Sequence, residues 1–154
     1  MASATAVAPG ARRPRVGLAA LLAATIGLGL LSRRYPLPGL LAEHTGDALY
    51  ATATFFLLAL VRPQAATGTL GLLAFAWAAA VEGSQLLTWP WLGELRATRW
   101  GALLLGQGFQ VADLFAYGGG SLLACLVDVT FVPRSIPRAQ GPDRLPHQST
   151  GPRA

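Results

Sequence analysis

The chain has no lysine: all twelve of its basic residues are arginine. With the excess of Ala, Leu and Gly, this points to a GC-rich and so a bacterial genome. Charge of any kind is scarce, at 12% of 154 residues, where a soluble domain carries roughly 25%. That shortage, with 53% hydrophobic residues gathered in blocks, excludes an ordinary soluble domain and points to the membrane class. Cysteine is nearly absent as well. Cys125 stands alone inside an apolar run, so no intramolecular disulfide forms and the thiol reads as inert packing. The two histidines, His44 and His147, have no metal-ligand spacing to each other or to the cysteine. No metal and no cofactor is expected.

The net charge is +5 and the pI near 10.7, values that raise the question of nucleic acid. The arginines flank apolar runs instead of lining one polar face. Membrane-orientation signals are placed that way, and nucleic-acid surfaces are not. Nucleic acid is therefore not an expected partner; membrane lipid is.

Four apolar runs organise the chain: "VGLAALLAATIGLGLL" (16–31), "LYATATFFLLALV" (49–61), "TLGLLAFAWAAAVEGSQLL" (69–87) and "VADLFAYGGGSLLACLVDVTFV" (111–132). A spanning helix takes about 20 residues, so the last two fit and the first two borrow from their flanks. The first run has a basic flank like a signal peptide, but "SRRYPLPG" follows it without a small-residue cleavage site, so a retained span is expected. The fold expected is all-α: a four-helix transmembrane bundle over 16–132. Three spans, with the first or second run lying in the interface, is the alternative. Residues 1–15 and the Pro/Arg-rich 133–154 read as disordered tails. Between runs three and four, "TWPWLGELRATRWGALLLGQGFQ" carries Trp89, Trp91 and Trp100, an interfacial aromatic belt. Its "WGALLLGQGF" is too short to cross, so the segment is expected to lie in the interface or re-enter. The "GQGF" part has no Gly-Lys-Ser ending and no strand before it, so it reads as a turn and not a phosphate loop.

In a four-span arrangement Arg12, Arg13, Arg15, Arg62, Arg134, Arg138, Arg144 and Arg153 fall on one side, and Arg33, Arg34, Arg96 and Arg99 on the other. The positive-inside rule then places both termini in the cytoplasm of a bacterial inner membrane. Glu82 and Gln85, three apart, share a helix face late in run three, with Ala78, Ala74 and Gly71 behind them. Asp47 and Asp113 sit at the outer entrances of runs two and four. Ala112, Ala116, Gly120 and Ala124 form a small-residue ladder in run four, suited to close helix packing in lipid. An intramembrane carboxylate is costly, which makes it a functional candidate by default. Glu82 relieves that cost either as the neutral acid or by pairing with Arg96 or Arg99. The candidate ligand-binding set is therefore Glu82, Gln85, Arg96, Arg99, Asp113 and Asp47. No nucleophile with its base and orienter is visible, so no catalytic residue is named and the reading leans away from an enzyme. A proton path across the bilayer lacks stepping stones in the inner half.

Taken together, "SRRY", "GDALYA", "VEGSQLL", "WLGELRATRWGALLLGQGF" and "ADLFAY" resemble the domain-of-unknown-function family numbered 2809, small bacterial integral membrane proteins without an assigned function. The resemblance covers about residues 16–130. The same half-chain looks like a distant relative of VanZ-like proteins, which have Glu and Gln late in one helix, an Arg in the following loop and an Asp opening the next helix. Glu82, Gln85, Arg96 or Arg99, and Asp113 are the matching positions; Tyr117 stands where those sequences commonly have Asn. That resemblance implies a cell-envelope setting linked to glycopeptide resistance. The expected function is recognition of an anionic or glycosylated envelope ligand, a glycopeptide or a lipid headgroup, at the outer face. The competing class is a structural or assembly subunit whose polar cluster only fixes helix packing. Sequence does not fix the oligomeric state.

Overall fold

The computed structural model describes residues 12–35, 38–87, 89–105 and 110–134. The described residues form six helices and no strand: α1 (Arg15–Arg34), α2 (Leu40–Val61), α3 (Thr67–Ser84), α4 (Pro90–Ala97), α5 (Arg99–Leu105) and α6 (Val111–Phe131). Most of both expected tails, and the expected turn at Gly106 and Gly108, lie outside the described residues.

Proline and glycine punctuate these helices. Pro14 precedes α1 in an extended conformation and Pro90 opens α4, positions where the missing N–H is harmless. Arg62 and Val132, each followed by proline, close α2 and α6 because the residue before proline is pushed out of the helical region. Gly39 precedes α2 at φ 66°, a left-handed conformation that glycine adopts without a Cβ penalty.

α1, the stretch His44–Val61 of α2, and α6 are each long and apolar enough to cross a membrane. At 1.5 Å per residue they extend about 27–32 Å, the thickness of a hydrocarbon core. α3 has 18 residues and is shortened in apolar content by Thr67, Thr69, Glu82 and Ser84.

α2 is the hub and packs chiefly on α6 and α1, while α6 also packs on α3. The core is thin: Leu18, Phe55, Phe56, Ala59, Leu70, Ala74 and Ala124 form one cluster, and Ala51, Ala78 and Tyr117 a second. Outside it, Leu72, Phe115, Leu122, Leu126 and Phe131 are exposed on the long helices. A soluble monomer rarely shows so continuous an apolar surface; in a multi-pass membrane protein it is the lipid-facing surface.

Three expectations of position change. α2 begins nine residues before the apolar run at 49, because "LLAEHTGDA" is helical despite its polar side chains. Asp47 therefore lies within a helix and not at its entrance. The small-residue ladder of α6 is offset: Ala112 is exposed, and the inward face is Asp113, Tyr117, Gly120, Ser121, Ala124 and Asp128. The segment after α3 folds as the two short helices α4 and α5, with Trp89, Trp91 and Trp100 all exposed. α5 sits close on α4, since a Cβ on Gly101 would collide with the carbonyl of Leu95.

Candidate functional site

The polar end of the bundle is set by one close crossing. A Cβ on Gly120 would meet the backbone of Ala48 at 2.0 Å, so only glycine allows α2 and α6 to approach this far. The Thr52 hydroxyl donates to the Gly120 carbonyl at 2.9 Å across the same contact. The next turns of α2 toward its start and of α6 toward its start carry His44, Asp47 and Asp113, which the crossing brings together.

His44 Nδ1 lies 3.0 Å from Asp113 Oδ1. One donor atom from each of His44, Asp47 and Asp113 falls within 4.8 Å of the other two. His44 and Asp47 are three apart on one face of α2 and are half-buried; Asp113 is buried in the first turn of α6. Among the described residues the Asp47 carboxylate has no hydrogen bond or ion pair. It borders a small cavity of about 40 Å³ lined also by Arg33, Tyr50, Gln85 and Tyr117, room for a few water molecules.

Glu82 is buried at the end of α3, 1% exposed, and its carboxylate is met by neutral donors. Glu82 Oε1 accepts from the Gln110 backbone N–H at 2.5 Å, and Oε2 from the Tyr117 hydroxyl and the Gln85 amide, each at 3.2 Å. Gln85 also donates to the Leu105 carbonyl at 3.0 Å. Glu82 thus ties the end of α3 to the entry of α6 and, through Gln85, to α5. In place of an arginine, three hydrogen-bond donors meet the carboxyl group, one from the end of α3 and two from α6 and its N-cap.

Neither candidate arginine forms an ion pair with Glu82. Arg96 donates to the Ser84 carbonyl at 2.6 Å, the Ser84 hydroxyl at 3.2 Å and the Leu87 carbonyl at 3.3 Å. Those acceptors lie at the C-terminal end of α3, where carbonyls lack helical partners and attract a cation. Arg99 is exposed at the start of α5. Of the six candidate residues, the structure gathers Glu82, Gln85, Asp113 and Asp47 around one mouth, holds Arg96 against the end of α3, and leaves Arg99 exposed on α5.

A second polar cluster occupies the opposite end. Arg13 is 4% exposed and Asp128 is fully buried. Arg13 Nε donates to Asp128 Oδ1 at 2.6 Å and Nη2 to Oδ2 at 2.7 Å, while Nη1 reaches the carbonyls of Pro63 and Ala65. Its fifth N–H donates to the Thr67 hydroxyl at 3.0 Å, so every guanidinium proton is placed. Arg134 adds a bond to Asp128 at 2.9 Å. Arg13, counted by sequence as an orientation charge, is here the clasp that joins the start of α1, the α2–α3 turn and the end of α6.

Sequence reasoning missed the roles of three members of these clusters, His44, Arg13 and Asp128. His44 was passed over because its partner Asp113 is 69 residues away; the visible signal was its i,i+3 relation to Asp47. Arg13 and Asp128 are 115 residues apart, and only their position at the same end of two expected spans hinted at contact. The family described as "Protein of unknown function (DUF2809)" matches residues 36–121. That stretch holds His44, Asp47, Glu82, Gln85, Asp113 and Tyr117 and omits Arg33, Arg13 and Asp128. No solved structure matches the chain.

Proposed function

The chain belongs to the DUF2809 family, and from that premise we propose that it is a four-span membrane protein whose α2–α3–α6 mouth binds a hydroxyl-bearing headgroup of a bacterial envelope lipid or glycopeptide. The observation that carries this reading is Asp47: a half-buried carboxylate on a polar cavity, without a hydrogen-bond partner among the described residues. Its oxygens are not sealed from solvent, so a ligand hydroxyl or amine can take the place of the water they accept from.

Of the anionic and glycosylated ligands considered from sequence, the geometry favours the glycosylated one. Three carboxylates, from Asp47, Glu82 and Asp113, face the region, against one guanidinium from Arg33 on the cavity wall. An anion would be repelled; a sugar would find acceptors in Asp47 and Tyr50 and a donor in Arg33. Arg96 is engaged at the end of α3 and serves to hold that rim in place. The VanZ-like pattern of Glu82, Gln85 and Asp113 agrees with an envelope setting.

α3 is the fourth span in this reading. It is antiparallel to α2 and α6 because the Arg13–Asp128–Thr67 cluster joins its start to the end of α6. Residues 12 and 134 then share one side, the cytoplasm, and the mouth faces outward with α4 and α5 over the interface. The structural reading keeps a specific place too: Glu82, with three internal donors, acts as a packing tie and not as a ligand contact.

The experiment is native mass spectrometry of lipids that copurify with the protein from bacterial membranes. Wild type is expected to retain a glycosylated lipid, and Asp47→Asn and Gln85→Ala to lose it. Equal retention in all three overturns the proposal.

A further inference from the structure

We propose that His44, Asp47 and Asp113 form a binding site for one divalent transition-metal ion, of the Zn²⁺ or Mn²⁺ type. The donor set is one imidazole nitrogen and two carboxylates, each with an atom within 4.8 Å of the other two. Adjacent ligands on an ion with bonds of about 2.1 Å stand roughly 3.0–3.4 Å apart, and His44 Nδ1 and Asp113 Oδ1 already stand at 3.0 Å. Asp47 completes the set by a side-chain rotation, which no hydrogen bond opposes.

Charge gives an independent reason. Asp47 lies in the field of Asp113 and Glu82, with His44 and Arg33 as the opposing groups. Two carboxylates and a neutral imidazole balance a doubly charged ion, whereas without one the repulsion between Asp47 and Asp113 is only partly offset. A plain His44–Asp113 pair would explain one contact and leave Asp47 beside a second carboxylate for no gain.

The imidazole selects the metal class. Mg²⁺ and Ca²⁺ prefer all-oxygen shells, while imidazole suits zinc and its neighbours. Three protein ligands leave at least one coordination position, and on the Asp47 side that position opens to the cavity bounded by Tyr50, Gln85 and Tyr117. A ligand oxygen entering from the mouth would meet the ion there.

The test uses the full chain, tag-free, in detergent and stripped with chelator. Zn²⁺ is titrated by isothermal calorimetry and Mn²⁺ by electron paramagnetic resonance. The expected result is one ion per chain, not displaced by equal Mg²⁺ or Ca²⁺. Asp47→Asn and His44→Gln should each weaken binding about tenfold or more, and Glu94→Gln, at an exposed position on α4, should leave it unchanged. Asp47→Asn removes no hydrogen bond among the described residues, and a melting temperature of the metal-free variant no lower than that of wild type separates loss of the site from misfolding. Absence of stoichiometric binding by wild type, equal binding by Asp47→Asn and Glu94→Gln, or displacement by Mg²⁺ overturns the proposal. Lipid retention is read separately, so failure of the metal site and failure of the headgroup reading are distinct results.

Discussion

Removing the Asp128 carboxylate would strand Arg13, whose guanidinium is almost wholly inside the protein. Breaking one side of a buried ion pair costs about 3–5 kcal/mol, so Asp128→Ala should lower the detergent melting temperature sharply. The double variant Arg13→Met with Asp128→Leu should recover most of that loss, since replacing both partners leaves no buried charge. Glu82 behaves differently because its partners are neutral. Glu82→Ala leaves the Tyr117 hydroxyl and the Gln110 N–H without their acceptor, at about 1–3 kcal/mol for each buried unsatisfied group. Tyr117→Phe removes one bond and should cost about 1 kcal/mol; both are read from thermal unfolding in detergent. Sequence pointed to Glu82 because a carboxylate late in an apolar run is conspicuous. It could not show what meets that carboxylate, since Gln110 and Tyr117 come from another helix and a backbone N–H leaves no mark in a sequence. The same holds for His44, which was judged against the other histidine and the cysteine when its hydrogen-bond partner is Asp113 on another helix.

At the scale of the helices, the contact between Gly120 and Ala48 positions the mouth. Gly120→Val should force α2 away from α6, separate His44 from Asp113, and cost about 1–3 kcal/mol or more through overpacking. Gly119 offers a matched control, since a Cβ there meets nothing within 4 Å. Gly119→Ala should be neutral or slightly stabilising, by up to about 1 kcal/mol, as alanine is the better helix former. Comparing the two melting temperatures separates a close-approach requirement from general glycine loss. The apolar blocks were legible because lipid-exposed helices must be apolar over a known length. The start of α2 was not, because its first turns trade hydrophobicity for the polar groups of the mouth. The small-residue ladder of α6 was half right: Gly120 and Ala124 are buried while Ala112 is exposed, because toward its ends the buried stripe is taken over by Asp113, Tyr117 and Asp128.

For the whole molecule, two polar clusters sit at opposite ends of an apolar bundle, and they differ in kind. The Arg13–Asp128 end is saturated, with every guanidinium N–H placed. The His44–Asp47–Asp113 end has a carboxylate without a hydrogen-bond partner among the described residues and a cavity beside it. A saturated cluster holds helices together; an unsaturated one has capacity left for a ligand. Four spans imply that reporters fused after residue 134 and before residue 12 both sit on the cytoplasmic side, and that a label attached at Glu94 is reached from outside; opposite sides for the two ends would leave three spans. The measurement that bears most directly on the ligand site is the melting temperature of Asp47→Asn and wild type in detergent, each with and without added bacterial glycolipid. The proposed site predicts a melting temperature without lipid in Asp47→Asn that is equal to or above that of wild type, since a carboxylate repelled by Asp113 and Glu82 is removed, and a lipid-dependent rise in wild type alone. A lowered baseline in Asp47→Asn with the lipid response intact would show the mouth to be a packing network and contradict it.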